Sequence, residues 1–170
     1  MRVFTETQKF DQWWLLVLIY GLLLASTIGL FLGISSISEN DISEILIERL
    51  PPFVILAVIA LLFYSCKLKT KIDEKGIHYG FWPFQRKLQL AAWDEVEKVY
   101  IRKYSPLTEY GGWGYKFSLS GRGKVYNTKG NMGIQIVFKD NNKTLIGTQQ
   151  PNAAQQVLNR YIPKENNYEN

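Results

Sequence analysis

The sequence predicts an α+β membrane protein in which two apolar helices precede a β-rich domain that ends in an amphipathic helix. Apolar residues concentrate before Cys66 and charged residues follow it. This division explains why mean hydropathy is near neutral, at −0.11, although 46% of the residues are hydrophobic. From Lys67 onward the apolar residues alternate with a period of two, which is typical of β-strands. A pattern with helical spacing then closes the chain before Pro163.

The first apolar run, Trp13 to Ile34, contains no charged residue and no proline. As a helix it reaches roughly 33 Å, which exceeds the ~30 Å hydrocarbon core of a bilayer. Trp13 and Trp14 lie where the chain would enter the headgroup layer, a favoured place for amphipathic rings. We therefore predict a transmembrane helix at 13–34 and, before it, a helical or irregular pre-membrane segment at 1–12. A buried core helix and a cleaved signal peptide are the alternatives.

The second apolar run, Phe53 to Cys66, follows two prolines that fit the first turn of a helix. Counted from Pro51, it covers only ~24 Å. It spans a bilayer if the stems of the following lysines snorkel or if residues before Pro51 join the helix. We predict a second transmembrane helix at 51–66, and hence a helical hairpin. The connection at 35–50 is acidic, and a helix from about Ile42 could lie there on the membrane surface.

The charges that flank the hairpin predict its orientation. Lys67, Lys69 and Lys71 follow the second run, whereas the connection between the runs is acidic. Basic flanks stay on the cytoplasmic side, so both termini are expected there and residues 35–50 on the opposite, periplasmic side. The same lysines are candidates for contact with anionic lipid headgroups, near which each gains up to ~1 kcal/mol. Scattered, solvated charges are the alternative.

After Cys66, alternating strands are separated by turns rich in Gly, Asn and Asp. The predicted strands begin at Lys67, Ile77, Phe84, Val96, Tyr115, Lys124, Ile134 and Thr144. Ser105 to Gly114 is predicted to be a loop, because one proline and three glycines argue against regular structure. Ala154, Val157, Leu158 and Tyr161 repeat at helical spacing after Pro151. The folded domain is thus predicted at 67–163, with a flexible tail at 164–170.

Several strings resemble a family of small bacterial membrane proteins that have two membrane helices and a C-terminal pleckstrin-homology-like (PH-like) domain. The strings are FDQWW at 10–14, YSPLTEYGGWGY at 104–115, Tyr126-Asn127, Gly130-Asn131-x-Gly133 and LIGTQ at 145–149. The resemblance implies a PH-like bent antiparallel β-sheet or barrel capped by the C-terminal helix, in a multi-pass protein of the bacterial inner membrane. It implies no chemistry. The turn Asp73 to Gly76 differs from the basic loop with which eukaryotic PH domains grip inositol phosphates, so no such pocket is expected there.

Two groups of residues are candidates for contacts with other proteins. The loop residues Glu109, Tyr110 and Trp113, with Tyr115, could bind a partner, since Trp and Tyr concentrate at interaction hot spots. Alternatively, Trp113 is a buried plug that shapes the loop. Small residues also recur at four-residue spacing on the first helix, as in a close-packing stripe, or simply because membrane helices tolerate glycine. These residues are Gly21, Ala25, Gly29 and Gly33.

No catalytic constellation stands out in the sequence. His78 is the only histidine and Cys66 the only cysteine, so His-based metal sites and Cys–His dyads lack partners. We predict no enzyme, cofactor or metal, and no nucleic-acid binding by a tethered domain. The expected function is a non-enzymatic scaffold or accessory subunit that holds a protein partner at the membrane. The alternatives are a subunit of a larger homo- or hetero-oligomeric transport or secretion complex, whose hairpin packs against other spans, and an anionic-lipid-binding module.

Overall fold

The computed structural model describes residues 3–35, 47, 50–118 and 121–161. The chain is an α+β protein that divides into two compact units. One unit is Phe10–Ser65, and the other combines Met1–Lys9 with Cys66–Asn170. Most of the predicted loop at 35–50 and the whole tail at 164–170 lie outside the described residues, so the expectations for them stay predictions.

The first unit is built from helices α1 (Trp13–Ser35) and α2 (Leu50–Ser65). Neither helix contains a charged residue, and large apolar side chains are exposed, such as Phe31 at 69% and Leu61 at 64%. The predicted first apolar helix is confirmed, and its stretch Trp13–Gly33 is long and apolar enough to cross a membrane. Helix α2 has 16 residues, fewer than the ~20 that a bilayer core requires.

The described part of the second unit contains two β-sheets. The first sheet is antiparallel and consists, in spatial order, of β1 (Phe4–Lys9), β2 (Lys67–Asp73), β3 (Gly76–Trp82) and β4 (Gln89–Ala92). The second consists, in spatial order, of β5 (Val96–Lys103), β8 (Met132–Phe138), β9 (Lys143–Gly147), β7 (Lys124–Asn127) and β6 (Gly114–Phe117). Strands β7 and β9 are parallel, which corrects the prediction of antiparallel pairing throughout. The reason is that the β8–β9 hairpin places β9 between β8 and β7.

The core of this unit lies between the two sheets, as the alternating sequence pattern requires. Along β2, Leu68 and Ile72 are buried whereas the lysines between them reach the outer face. The inner faces meet at aromatic rings, with the Tyr79 and Tyr126 centroids 5.0 Å apart in an edge-to-face contact. A fully buried aliphatic side chain, such as Leu68 or Ile72, contributes about 1.5–3 kcal/mol. The sheets are therefore held together mainly by apolar and aromatic burial.

Helix α4 (Pro151–Tyr161) packs against strands of both sheets, namely β1, β2, β5 and β8. Ala154, Val157 and Leu158 are buried, which confirms the predicted apolar face. Tyr161 stacks on Trp93, with ring centroids 5.3 Å apart. The closing helix thus covers the core beside the edge strands β1 and β5.

The prediction of a helical or irregular segment at 1–12 was wrong for Phe4–Lys9, which form β1 beside β2. The Glu6 carboxylate accepts hydrogen bonds from the Thr148 hydroxyl at 2.7 Å and from the Gln149 backbone N–H at 2.8 Å. Gln8 donates to the Gly147 carbonyl at 2.6 Å. The domain predicted at 67–163 therefore also includes a strand that precedes the helical unit.

The predicted strand from Phe84 to Leu90 was also misplaced, because the chain turns back directly after β3. The backbone N–H of Gln85 donates to the Phe81 carbonyl at 2.7 Å, and its side-chain oxygen accepts the Phe81 N–H at 2.9 Å. Strand β4 consequently begins at Gln89 and continues to Ala92.

The predicted loop from Ser105 to Gly114 contains a short helix, α3 (Pro106–Tyr110). Pro106 occupies its first turn, where no N–H donor is needed. Gly111 ends the helix with φ of 69°, a conformation that favours glycine. The proline and the glycine that argued against regular structure are thus the residues that begin and end this helix.

Candidate functional site

Strand β6 lies at one edge of the second sheet and pairs with β7. Ser118, just after β6, donates its backbone N–H to the Gly123 carbonyl at 2.8 Å. Because inward and outward groups alternate along an antiparallel pair, the backbone N–H and C=O groups of Tyr115 and Phe117 point away from β7. In the part of the chain that the structure describes, no strand lies on that outer side.

The same two residues expose aromatic rings, with Tyr115 exposed at 45% and Phe117 at 59%. Tyr115 lies opposite Tyr126 on β7, and the two ring centroids are 4.7 Å apart. The Lys124 ammonium lies 5.8 Å from the centroid of Phe117. Since Tyr126 contacts the first sheet, the exposed rings lie on the side of β6 that faces this sheet.

A groove of about 840 Å³ adjoins this edge. Its lining includes Tyr79, Phe117, Lys124, Phe138 and Thr144. Acidic and basic side chains surround it, among them Asp94, Glu95, Lys139 and Lys143. The volume falls in the ~300–1,000 Å³ range of ligand pockets, and apolar rings combined with both signs of charge suit a peptide better than a strongly charged small molecule.

A tyrosine hydroxyl on β7 connects the second sheet to the first. The Tyr126 hydroxyl donates to the side-chain oxygen of Gln89 on β4 at 3.1 Å. Burial raises the pKa of Tyr126 to about 12, so this hydroxyl remains protonated near neutral pH. The hydrogen bond fixes the Tyr126 ring that contacts Tyr115.

Glu109, a predicted partner contact, instead forms ion pairs inside the domain. Its carboxylate lies 2.9 Å from the Arg102 guanidinium and 3.2 Å from that of Arg122. It also accepts the Ser105 backbone N–H at 2.8 Å. Burial alone would raise the pKa of Glu109, but the hydrogen bonds from Arg102 and Ser105 and the charges of Arg102 and Arg122 outweigh it, and the pKa is lowered. Glu109 therefore orders the α3 segment.

The other two candidates in this loop also have contacts within the domain. Tyr110 is only 5% exposed and its hydroxyl accepts a hydrogen bond from Arg102 at 3.2 Å. Trp113 is half-buried, and its ring N–H approaches the Gly130 carbonyl at 3.4 Å. Among the four predicted partner-binding residues, Tyr115 is thus the one that lies on an edge strand with an exposed ring. Loop shaping is the role that the contacts of the other three support.

The three predicted headgroup lysines share the outer face of β2 but differ in their partners. Lys71 forms an ion pair with Asp73 at 2.8 Å. The hydrogen bond from Lys71, followed by those from the Lys75 backbone and His78, lowers the pKa of Asp73 far below its ordinary range. Lys67 and Lys69 lie further toward the start of the strand, and Lys69 is 5.9 Å from the ring centroid of Trp82.

The small residues of α1 lie along one helix, as their spacing requires, but in different environments. An added Cβ at Gly21 or Gly29 would meet no atom within 4 Å, whereas Gly33 is buried. Ala25 is exposed. The helical unit as described does not use the positions of Gly21 and Gly29 for close packing.

Sequence reasoning missed Phe117 and β1. Phe117 could have been found, because Tyr115 and Phe117 are two apart on a predicted strand and therefore share a face. Strand β1 is short and polar and gives little signal. Among the described residues, no group of three or more His, Cys, Asp or Glu side chains could hold a metal ion.

The sequence matches no protein-family model, no curated protein and no solved structure.

Proposed function

We propose that this protein is a membrane-anchored, non-enzymatic interaction module that binds an extended segment of a protein partner along β6. The observation that carries the proposal is the edge of β6, where outward backbone groups and the exposed rings of Tyr115 and Phe117 occur together beside a groove. An extended peptide can add to such an edge through main-chain hydrogen bonds, while pockets select alternate side chains. The proposal keeps the scaffold role and, of the four predicted partner-binding residues, retains Tyr115 on β6.

The pairing of β1 with β2 supports an anchor that crosses the membrane twice. Lys9 lies opposite Lys67 in this pair, although the helical unit separates them in the chain. If α1 crosses a bilayer, the chain must return to the same side before β2 can pair with β1. The apolar helix α2 precedes β2, so it is the segment that makes the return, with flanking lysine stems completing its length.

The same pairing argues against removal of α1 as a signal peptide. Cleavage after α1 would also remove β1, and with it the hydrogen bonds of Glu6 to Thr148 and Gln149. Thr148 is only 2% exposed, so its hydroxyl would lose an acceptor that water replaces poorly. A retained hairpin is consistent with a complete first sheet.

The proposal places the β unit and both termini on the cytoplasmic side of a bacterial inner membrane, because basic residues follow α2. A PH-like fold is part of it, supported by paired sheets and one closing helix. The parallel β7–β9 pair and strand β1 are additions to what the resemblance implies.

Site-specific photocrosslinking tests the partner-binding role. A photoreactive phenylalanine analogue at Phe117, in full-length protein expressed in its native cells, should give a discrete adduct with one protein. The matched control carries the analogue at Leu107 on α3, which is exposed at 63%. It should give no such adduct. Identical adducts at both positions, or none at Phe117, would contradict the proposal.

A second candidate function is a subunit of a larger membrane complex, and the α1 stripe favours it. Positions 21 and 29 have room for a side chain, so a neighbouring span could pack there closely. Gly21→Leu with Gly29→Leu should then dissociate a native complex in mild detergent, while Leu24→Ala, at an exposed position on the same helix, should not. Unchanged migration of the double variant on native gels would exclude this role.

A further inference from the structure

We propose that one end of the first sheet is a docking surface for anionic lipid headgroups. It comprises Lys9, Lys67, Lys69, Trp82 and Phe84, and we call it the basic–aromatic end. The inference rests on the proposed membrane anchor and adds to it a second contact with the bilayer, made by the β unit itself. The surface exists because strands β1, β2 and β3 lie side by side at this end of the sheet.

Strand register places the first part of this surface in one row. Lys9 on β1 lies opposite Lys67 on β2, and Lys67 lies opposite Trp82 on β3. All three belong to the outer face, because their neighbours Gln8, Leu68 and Phe81 are buried. Lys69 occupies the next outer position of β2, 5.9 Å from the Trp82 ring.

Exposed aromatic rings continue the surface beyond the end of β3. Trp82 is exposed at 42% and Phe84 at 67%, and both rings belong to the string FWPFQRK at 81–87. Arg86 and Lys87 in the same turn are exposed. Aromatic rings beside basic side chains suit the membrane interface, where the ring enters the acyl boundary and the cation meets the phosphate layer.

Within the strands of the first sheet, the charged residues of this end are all basic. In the row that contains Lys69, the residues on the neighbouring strands are Thr7 and Gly80. Neither of these two residues carries a charge. Among the described residues of this face of the sheet, an acidic side chain appears only further along β2, where Asp73 is paired with Lys71. Lys71 is therefore neutralised locally, and the headgroup-binding set gains Lys9 and loses Lys71 relative to the sequence prediction.

Few residues separate this end of the sheet from the apolar helices along the chain. Trp13, the first residue of α1, follows Lys9 by four residues, which reach at most about 14 Å. Ser65, the last residue of α2, precedes Lys67 by two residues, or at most about 7 Å. If the helices cross a bilayer, Lys9 and Lys67 must lie within reach of its headgroups, so anionic lipid is the occupant to which charge and connectivity both point.

The test uses the full chain in vesicles of phosphatidylcholine, with or without phosphatidylglycerol. A fluorophore is attached to the cysteine introduced by Phe84→Cys or, as the control, by Leu107→Cys. Both variants also carry Cys66→Ala, so that a single cysteine is labelled. Spin-labelled headgroups should quench the probe at position 84 and not at 107, and more strongly with phosphatidylglycerol. Lys67→Glu with Lys69→Glu should lower the docked-to-undocked ratio by about 25-fold or more, since each lysine near an anionic surface contributes roughly five-fold. Lys75→Glu, in the exposed turn after β2, should leave it unchanged.

Resistance to carbonate extraction is measured on the same vesicles and separates the two proposals. Suppose that the chain resists carbonate extraction. Equal quenching at positions 84 and 107, or quenching that does not depend on phosphatidylglycerol, would then overturn docking and leave the anchor intact. Extraction of the chain by carbonate would overturn the anchor and, with it, the premise of docking. Because surface charges are screened within a Debye length of ~8 Å at physiological ionic strength, the anionic effect should also weaken in high salt.

Discussion

The helical unit and the β unit of this protein treat their apolar side chains in opposite ways. In the helical unit, Phe31 and Tyr64 are exposed at 69% and 76%. In the β unit, Leu68 and Ile72 are not exposed at all. Soluble domains rarely expose large contiguous apolar surfaces, because moving apolar area out of water drives folding.

The difference is the one expected if the two units are matched to different solvents, as proposed above. In the β unit, alternation of polar and apolar residues builds a core inside the protein. Helices α1 and α2 lack such a pattern and are apolar on every side, so their packing against each other cannot cover them. We expect lipid to cover the helical unit, and substitutions should therefore affect the two units differently.

The largest expected effect is the removal of a buried ring from β1. Phe4→Ala should lower the free energy of unfolding of the β unit by about 3–5 kcal/mol, because the 5% exposed ring leaves a cavity. Phe31→Ala, at an exposed position of α1, should leave that free energy unchanged. Denaturant titration of both variants in detergent, followed by near-UV circular dichroism, measures the difference. Equal effects would mean that the units do not differ as described.

A smaller effect is expected when the polar contact between β1 and the start of α4 is removed. Glu6→Ala should cost about 1–3 kcal/mol, because the buried Thr148 hydroxyl loses its acceptor. Hydrogen exchange of the Gln149 amide should become faster, since Glu6 also accepts from it. Thr7→Ala, on the exposed face of the same strand, should change stability by less than about 0.5 kcal/mol. Unchanged exchange at Gln149 would contradict the role given to Glu6.

The smallest effect concerns Glu109 and should depend on pH. Its pKa is lowered in the folded protein, so its contribution is complete above the ordinary carboxyl pKa and is lost as the pH falls through the folded pKa. Glu109→Gln should therefore be less stable than wild type by about 0.5–1.5 kcal/mol near neutral pH, because the amide oxygen can still accept hydrogen bonds. The two stabilities should converge in acid.

Stability curves of wild type and Glu109→Gln across the acidic range measure this convergence. Glu74→Gln, in the exposed turn between β2 and β3, serves as control and should follow wild type throughout. A stability difference that is constant with pH would mean that the charge of Glu109 contributes nothing and that only its shape matters.

The sequence predicted those elements whose signal is local. Uniform apolarity identified α1, alternation identified β2 and β3, and helical spacing identified the buried face of α4. Strand β1 escaped because its burial depends on partners far along the chain, such as Thr148. The parallel β7–β9 pair escaped for the same reason, since local alternation does not specify which strand lies beside which.

The candidate site was predicted only in part, because residue type does not reveal which residues a side chain contacts in the fold. Glu109 and Tyr110 were chosen as unusual polar and aromatic loop residues, and both contact Arg102. Phe117 was passed over as an ordinary strand residue, although the edge position of β6 exposes its ring. Whether a strand lies at an edge depends on the order of strands in the sheet, which the local sequence of the strand does not specify.

The most direct test of the central claim is the sidedness of single cysteines in the full chain. In a Cys66→Ala background, Asn40→Cys lies between the two helices and Lys75→Cys lies in the exposed turn after β2. An impermeant maleimide added to intact cells should label position 40 and should reach position 75 only after permeabilisation. Labelling of position 75 in intact cells, or protection of both positions until permeabilisation, would contradict a hairpin that returns the chain to the cytoplasm to pair β2 with β1.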